Sequence, residues 1–163
     1  MKLFLLRHAH AKDTFPDEER CLSERGLLQL DKLSQSLSKE LFESVAQVWH
    51  SPYCRARESA EVFSEKMGID VPKIVSTAIT PFGDAHTLAR TIASMSWFGA
   101  DLIIVSHNPL LESLALNLLD ARHGYVNFRK STLACLSLVG CPNEDVPVGR
   151  WALDFLISAS VLD

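Results

Sequence analysis

The stretch Leu3-Phe4-Leu5-Leu6-Arg7-His8-Ala9-His10-Ala11-Lys12 (LFLLRHAHAK, residues 3–12) decides how the rest of the chain is read. Its first four side chains are all hydrocarbon, with no polar alternation. That pattern describes a strand covered on both faces, as in the middle of a parallel sheet. The run then stops on a guanidinium and two imidazoles, so the strand delivers charged and titratable groups to one edge of its sheet.

The segments that follow alternate helix and strand. Ser23 is placed to cap a helix reaching about Lys39, with Leu30, Leu33, Leu37 and Leu41 on one stripe. Val45–Trp49 reads as a second strand. Ser51-Pro52 predicts a helix start with serine at the N-cap and proline at the first helical position, and Ala56, Ala60, Phe63 and Met67 recur at helical spacing before Gly68. Lys73–Ser76 is a short, weak strand. Gly83-Asp84 opens a helix whose inner face is Leu88, Ile92 and Met95. Asp101–Ser106 (DLIIVS) is a second fully buried strand, and Asn108-Pro109 starts a helix facing inward through Leu111, Leu114, Ala115 and Leu118. Ser131–Val139 and Arg150–Ile157 flank the turn-rich GCPNEDVPVG and predict an antiparallel pair. The expected fold is a single α/β domain over residues 1–163, a three-layer α/β/α sandwich. Its central sheet is mostly parallel, with antiparallel strands near the C-terminus.

Bulk composition narrows the function. With 16 Lys and Arg against 20 Asp and Glu, the formal charge is −4, so no global field draws nucleic acid or an anionic membrane. The four apolar residues after Lys2 fall short of the ~7–15 that a secretion signal needs. No apolar run approaches the ~20 residues that span a bilayer. Cys21, Cys54, Cys135 and Cys141 are scattered without a C-x-x-C pair, and are expected to be reduced thiols of a cytoplasmic protein. Cys54 lies next to Arg55, a cationic setting that favours oxidation of a thiol.

In open α/β sheets, ligands bind beyond the carboxyl ends of the strands. Three such ends here carry cations or histidines: Arg7-His8, His50 leading to Arg55 in the next helix's first turn, and Ser106-His107. Arginine forks match pairs of phosphate oxygens, and the helix starts at Pro52 and Pro109 add N–H donors. The polar segment Lys12–Arg20 is expected to form part of the entrance. Arg57 and Glu61 have the spacing of an ion pair on a solvated helix face.

The set R-H after the first strand, S-P-x-x-R-A at a helix start and V-S-H-x-P after a later strand resembles the histidine phosphatase superfamily. Leu22-Ser23-Glu24-Arg25-Gly26 and Thr80-Pro81-Phe82-Gly83-Asp84 are similar to further segments of it. Small size, the T-P-x-G-D stretch and the closing W-A-L-D-F-L-I resemble its SixA-type phosphohistidine phosphatases. The resemblance implies a phosphoglycerate mutase-like fold and makes His8 the nucleophile, with Arg7, Arg55 and His107 as the other phosphate-pocket residues. It implies a protein substrate bearing phosphohistidine, with no metal and no cofactor. A monomer is compatible with an open pocket. A protonated His107 is expected to add to the cationic stabilisation of the transferring group. Ala9 departs from the superfamily's usual glycine. Larger relatives carry a carboxylic acid for the leaving group; here Asp84 is the candidate acid/base, and its other reading is a helix cap. A leaving imidazole needs little acid help, which favours phosphohistidine over phosphomonoesters.

Three other readings stand beside this one. A general small acid phosphatase acting on phosphomonoesters would need the acid. A binding module would hold the phosphoryl group without turnover. A metal hydrolase would use His8-x-His10 with His50, His86 and His107, although two arginines would repel the cation and H-x-H hydrolases resemble barrels of ~250 residues.

Overall fold

A computed structural model describes residues 1–95, 99–121 and 123–162. Its six strands form one sheet: β1 (Lys2–Arg7), β2 (Val45–His50), β3 (Lys73–Val75), β4 (Asp101–Ser106), β5 (Thr132–Gly140) and β6 (Arg150–Ser158). Their order is β3-β2-β4-β1-β5-β6. β3, β2, β4 and β1 run parallel, whereas β5 pairs antiparallel with β1 and β6 antiparallel with β5.

The unbroken apolar runs are explained by cover on both sides. Leu3 and Leu5 of β1, with Leu102 and Ile104 of β4, face one core shared with α3 (Ala85–Met95) and α4 (Leu110–Leu118). Phe4 and Leu6, with Ile103 and Val105, face the opposite core, shared with α1 (Glu24–Gln35) and α2 (Cys54–Met67). The period-2 geometry of a strand sends alternate side chains to the two layers, so both sets must be apolar. The result is the expected α/β/α sandwich. Among the described residues no helix is long and apolar enough to cross a membrane.

Element boundaries differ from the sequence expectation at three helices. α1 stops at Gln35 rather than near Lys39, because the Ser36 hydroxyl donates to the Leu33 carbonyl at 2.7 Å and diverts the last turn. Leu37 and Leu41 still pack on the second core from beyond the helix end. α2 begins at Cys54, with Tyr53 rather than Ser51 in the cap position and no side-chain cap. α4 begins at Leu110, so Pro109 is its cap residue rather than its first helical residue. Ser23 caps α1 as expected, accepting from Gly26 N at 3.2 Å.

The cysteine expectation is overturned for two of the four residues. Cys21 and Cys54 form a disulfide with Cα atoms 5.0 Å apart, while Cys135 (buried) and Cys141 (exposed) are free. The partners lie 33 positions apart in sequence. A bridge between Ala11 and Leu22, and Leu22 N donating to the Glu58 carboxylate at 2.6 Å, bring Cys21 against the start of α2.

Candidate active site

The parallel strands end level with one another. Arg7 stands opposite Ser106 and His50 opposite Val105. Beyond that line His8 N donates to Ser106 O at 3.0 Å, and Ser51 N to Val105 O at 3.1 Å. His8, Ser51 and His107 therefore leave the sheet together, and α2 supplies Arg55 from its first turn. Arg7, His8, Arg55 and His107 line one cavity of about 310 Å³, with Asp17, Arg20, Pro81, Phe82, Asn108 and Lys130 around its wall and mouth.

His8 is 6% exposed. Its Nδ1 lies 2.7 Å from the Ala9 carbonyl, an acceptor, so Nδ1 carries the hydrogen and Nε2 keeps its lone pair. Burial first, then the neighbouring His107, pull its pKa well below the usual histidine range and keep the ring neutral. Arg55 donates from Nε to His8 Nε2 at 3.3 Å. The Ala9 backbone is anchored by its N–H donating to Ser59 Oγ at 3.0 Å, and its methyl group is fully buried.

Arg55 is itself held on its outer edge. Nη1 donates to the Asp17 carbonyl at 2.6 Å and Nη2 to the Asp17 carboxylate at 2.9 Å. The Tyr53 ring lies 4.9 Å below the guanidinium. The edge that includes Nε is left facing His8. Burial works against the charge on Asp17, but hydrogen bonds from Arg55 and then Arg20 outweigh it and hold the carboxyl below its usual range.

His107 corrects the expected charge. It is 2% exposed, and burial first, then Arg55, push its pKa down to about 3. The ring is neutral near pH 7, not cationic. Its Nε2 meets Ser51 Oγ at 2.8 Å, which also accepts from Tyr53 N at 3.4 Å. The buried Ser51 hydroxyl has no other acceptor for its hydrogen among the described residues, so it donates to Nε2, and the hydrogen of His107 is assigned to Nδ1. Ser51 thus sets a tautomer instead of capping a helix.

Three buried polar atoms of residues lining this cavity have no hydrogen-bond partner among the described residues: Arg7 Nε, His107 Nδ1 and Asn108 Oδ1. Arg7 Nη1 donates to Phe128 O at 2.5 Å, which turns the rest of its fork toward the cavity's own groups. Buried donors left unmatched are costly.

Other candidates lie elsewhere. Asp84 lies outside the cavity wall and caps α3, accepting from His86 N at 3.1 Å and Thr87 N at 3.2 Å and from the Thr87 hydroxyl. The Thr87 hydroxyl contact, then the His86 N–H, lower its pKa. His10 holds the start of α1 through Ser23 Oγ at 2.8 Å. A Cβ on Gly26 would come within 2.2 Å of the His10 carbonyl, which explains glycine there. Arg57 pairs with Glu61 on the surface, as its spacing suggests. Of the histidines of the metal reading, His8 and His107 meet in the cavity with ring centroids 4.8 Å apart, but among the described residues the one group with three close ligand atoms is Cys21, Cys54 and Glu58, two of which are spent on the disulfide. Sequence reasoning placed Asp17 and Arg20 only in an entrance segment and missed Tyr53 and Lys130; a cationic residue just before β5, close in space to Arg7, leaves no local signal.

The sequence model of the Histidine phosphatase superfamily (branch 1) matches residues 3–79. The chain is 28% identical over 152 residues to the phosphohistidine phosphatase SixA homolog of Haemophilus influenzae, covering 88% of this chain and 92% of that protein. It is 26% identical over 120 residues to phosphohistidine phosphatase SixA of Escherichia coli, covering 72% of this chain and 74% of that protein. The solved structure of the protein histidine phosphatase SixA complexed with tungstate superposes over 100% of both chains with a TM-score of 0.86 at 22% identity.

Proposed function

We propose that this chain, whose residues 3–79 match the model of the Histidine phosphatase superfamily (branch 1), removes the phosphoryl group from phosphohistidine on a protein, through a covalent intermediate on His8. The observation that carries this reading is the state of His8: a desolvated, neutral imidazole with Nδ1 committed to Ala9 O and the lone pair of Nε2 directed at Arg55, from which it accepts a long 3.3 Å hydrogen bond. A neutral ring with one nitrogen held as donor is the reactive form for in-line attack on phosphorus.

In the first step the His8 Nε2 lone pair forms a P–N bond as the substrate's P–N bond breaks. The departing ring, protonated on its other nitrogen, leaves as neutral imidazole, so no acid from the chain is required. That suits the carboxyl groups nearby: Asp17 is held ionised by Arg55 and Arg20, and Asp84 is spent on capping α3. Charge on the equatorial oxygens is met by Arg7 and by the inner edge of Arg55, with the Nδ1–H of His107 as a neutral donor. In the second step water attacks the phosphorus and His8 is released with its original tautomer. The relatives named above carry the activity in their names, and a SixA structure holds tungstate, an oxyanion. In this reading the enzyme is cytoplasmic and acts as a monomer.

The test is phosphate release from a phosphohistidine peptide in excess EDTA, with p-nitrophenyl phosphate as the monoester control. Turnover that survives EDTA, favours the P–N substrate and vanishes in His8→Ala is the expected result. Loss of wild-type activity in EDTA overturns the metal-free mechanism. Equal or better turnover of the monoester overturns the substrate class. Phosphate binding without turnover of either substrate makes the site a binding module.

A further inference from the structure

The disulfide stands in a position that bears on the pocket. Cys21 directly follows Arg20, at the end of the entrance segment that carries Asp17, and Cys54 directly precedes Arg55 at the start of α2. Asp17 bonds both arginines: its carboxylate accepts from Arg55 Nη2 at 2.9 Å and from Arg20 Nη1 at 3.1 Å. One covalent bond therefore ties the segment carrying the clamp to the helix carrying the clamped residue. The segment's other ties at that end are hydrogen bonds: Lys12 N to Cys21 O at 2.9 Å, Arg20 Nε to Lys12 O at 2.8 Å, and Leu22 N to the Glu58 carboxylate of α2 at 2.6 Å.

The chemistry of the pair favours reversibility. Cys21 is partly exposed and open to an incoming thiolate, whereas Cys54 is buried at the first residue of α2, where the helix end favours negative charge. The Arg57 guanidinium lies 3.7 Å from Cys54 Sγ and adds a cation beside the sulfur that would leave, against the Glu58 carboxylate, which lies within 4.8 Å of both sulfurs. A good leaving thiolate and an accessible partner sulfur mark labile disulfides rather than structural ones. The free Cys135 is unlike them: burial, then Asp154, push its thiol up to about 12.

We propose that Cys21 and Cys54 form a reversible oxidation site whose closed disulfide holds Asp17 on the outer edge of Arg55, so that the thiol state of this pair sets the pocket's affinity for a phosphoryl anion. The proposal rests on the phosphatase reading only for its effect on turnover. Closure proceeds by exchange with a disulfide such as oxidised glutathione. The Cys21 thiolate attacks it, one glutathione thiolate leaves, and the Cys54 thiolate then attacks Cys21 Sγ and expels the second. Two electrons pass to the oxidant, and the two protons lost by the cysteines end on the two glutathione thiols. Opening reverses the sequence, with Cys54 leaving first. When the bond opens, the entrance segment loses its covalent tie to α2 and keeps only the hydrogen bonds Leu22–Glu58 and Asp17–Arg55, so that Arg55 samples orientations in which its inner edge no longer faces His8.

The full chain is equilibrated in glutathione buffers from fully reduced to fully oxidised, and the Cys21–Cys54 bond is read by mass spectrometry. Calorimetry with inorganic phosphate and turnover of a phosphohistidine peptide are then measured on the same samples. The disulfide form is expected to bind phosphate about threefold to tenfold more tightly and to raise kcat/KM by a similar factor, the scale of a small misplacement of one cationic group. Cys21→Ser, checked for folding by circular dichroism, is expected to match the reduced protein in every buffer. Equal phosphate affinity in the open and closed wild-type forms overturns the proposal. So does a Cys21→Ser variant that still responds to glutathione, or a bond that never opens across the series. Phosphate affinity that follows the bond while no peptide is turned over supports the clamp and sinks the phosphatase reading alone.

Discussion

Replacing Ser51 by alanine tests the site more sharply than replacing a cationic residue. The side chain is fully buried and lies outside the cavity lining, so it cannot touch a substrate. Its hydroxyl donates to His107 Nε2 at 2.8 Å and fixes the hydrogen of that ring on Nδ1. In Ser51→Ala both nitrogens of a 2%-exposed histidine are left without a protein partner, since Nδ1 already has none. Leaving one buried polar atom unsatisfied costs about 1–3 kcal/mol, which for a chain of this size lowers Tm by about 3–10 °C. The ring is also free to take the other tautomer, which presents an acceptor instead of a donor to a phosphoryl oxygen. Loss of a whole charge-stabilising donor costs about 100- to 1,000-fold, and loss of its orientation less, so kcat on a phosphohistidine peptide should fall about tenfold to a hundredfold. Steady-state kinetics and thermal unfolding on one preparation measure both effects, and the imidazole ¹⁵N shifts report the tautomer directly. A variant with unchanged ¹⁵N shifts and kcat within twofold of wild type would falsify the role given to Ser51, whatever its Tm.

Further outcomes follow from the same geometry. His107 has a folded pKa of about 3, depressed from its ordinary value, so the unfolded chain binds the extra proton first as pH falls. Its contribution to stability is complete above about pH 6.5 and is lost progressively down to about pH 3, with His8 acting in the same direction; Tm measured across that window should decline, and a flat profile would contradict neutral burial of these rings. In Gly26→Ala a Cβ would meet the His10 carbonyl at 2.2 Å, forcing α1 away from the loop after β1. A loss of about 1–3 kcal/mol or more in urea unfolding is expected, and an unchanged midpoint would show that the contact is not tight. Lys130 lies at the mouth, where burial, then Arg7, lower its pKa, and it has no ion-pair partner among the described residues. Lys130→Ala should raise KM for a phosphopeptide about threefold to tenfold with kcat nearly unchanged, and weaken the salt dependence of kcat/KM; an equal fall in kcat would place Lys130 in the chemistry instead.

How much of this was legible beforehand depends on the range of the physics involved. The alternation of strands and helices, the two central strands and the antiparallel pair at the end could be read from apolar runs and helical spacing, because these are signals within a few neighbouring residues. Ser23 as the cap of α1 was equally local. The end of α1 at Gln35 was local too but not legible, because a serine can bond its own helix or water and the sequence does not show that Ser36 bonds the Leu33 carbonyl. Ser51 and Asn108 looked like caps for the same local reason, yet each found a partner far along the chain: His107 for the first and the Phe128 carbonyl for the second, which also bonds Glu112 one turn away.

By itself, then, the sequence determined a sandwich with Arg7, His8, Arg55 and His107 at the carboxyl edge of a parallel sheet. Strand burial and connection order follow from patterns along the chain, and together they leave little freedom in where those side chains emerge. Only the tertiary structure decided the protonation of the two histidines, the hold of Asp17 on Arg55 and the pairing of Cys21 with Cys54. Desolvation of a ring is the sum of everything packed around it, and a contact between residues 33 or 38 positions apart exists only once the loop between them has closed. Neither quantity is a property of any one stretch of sequence.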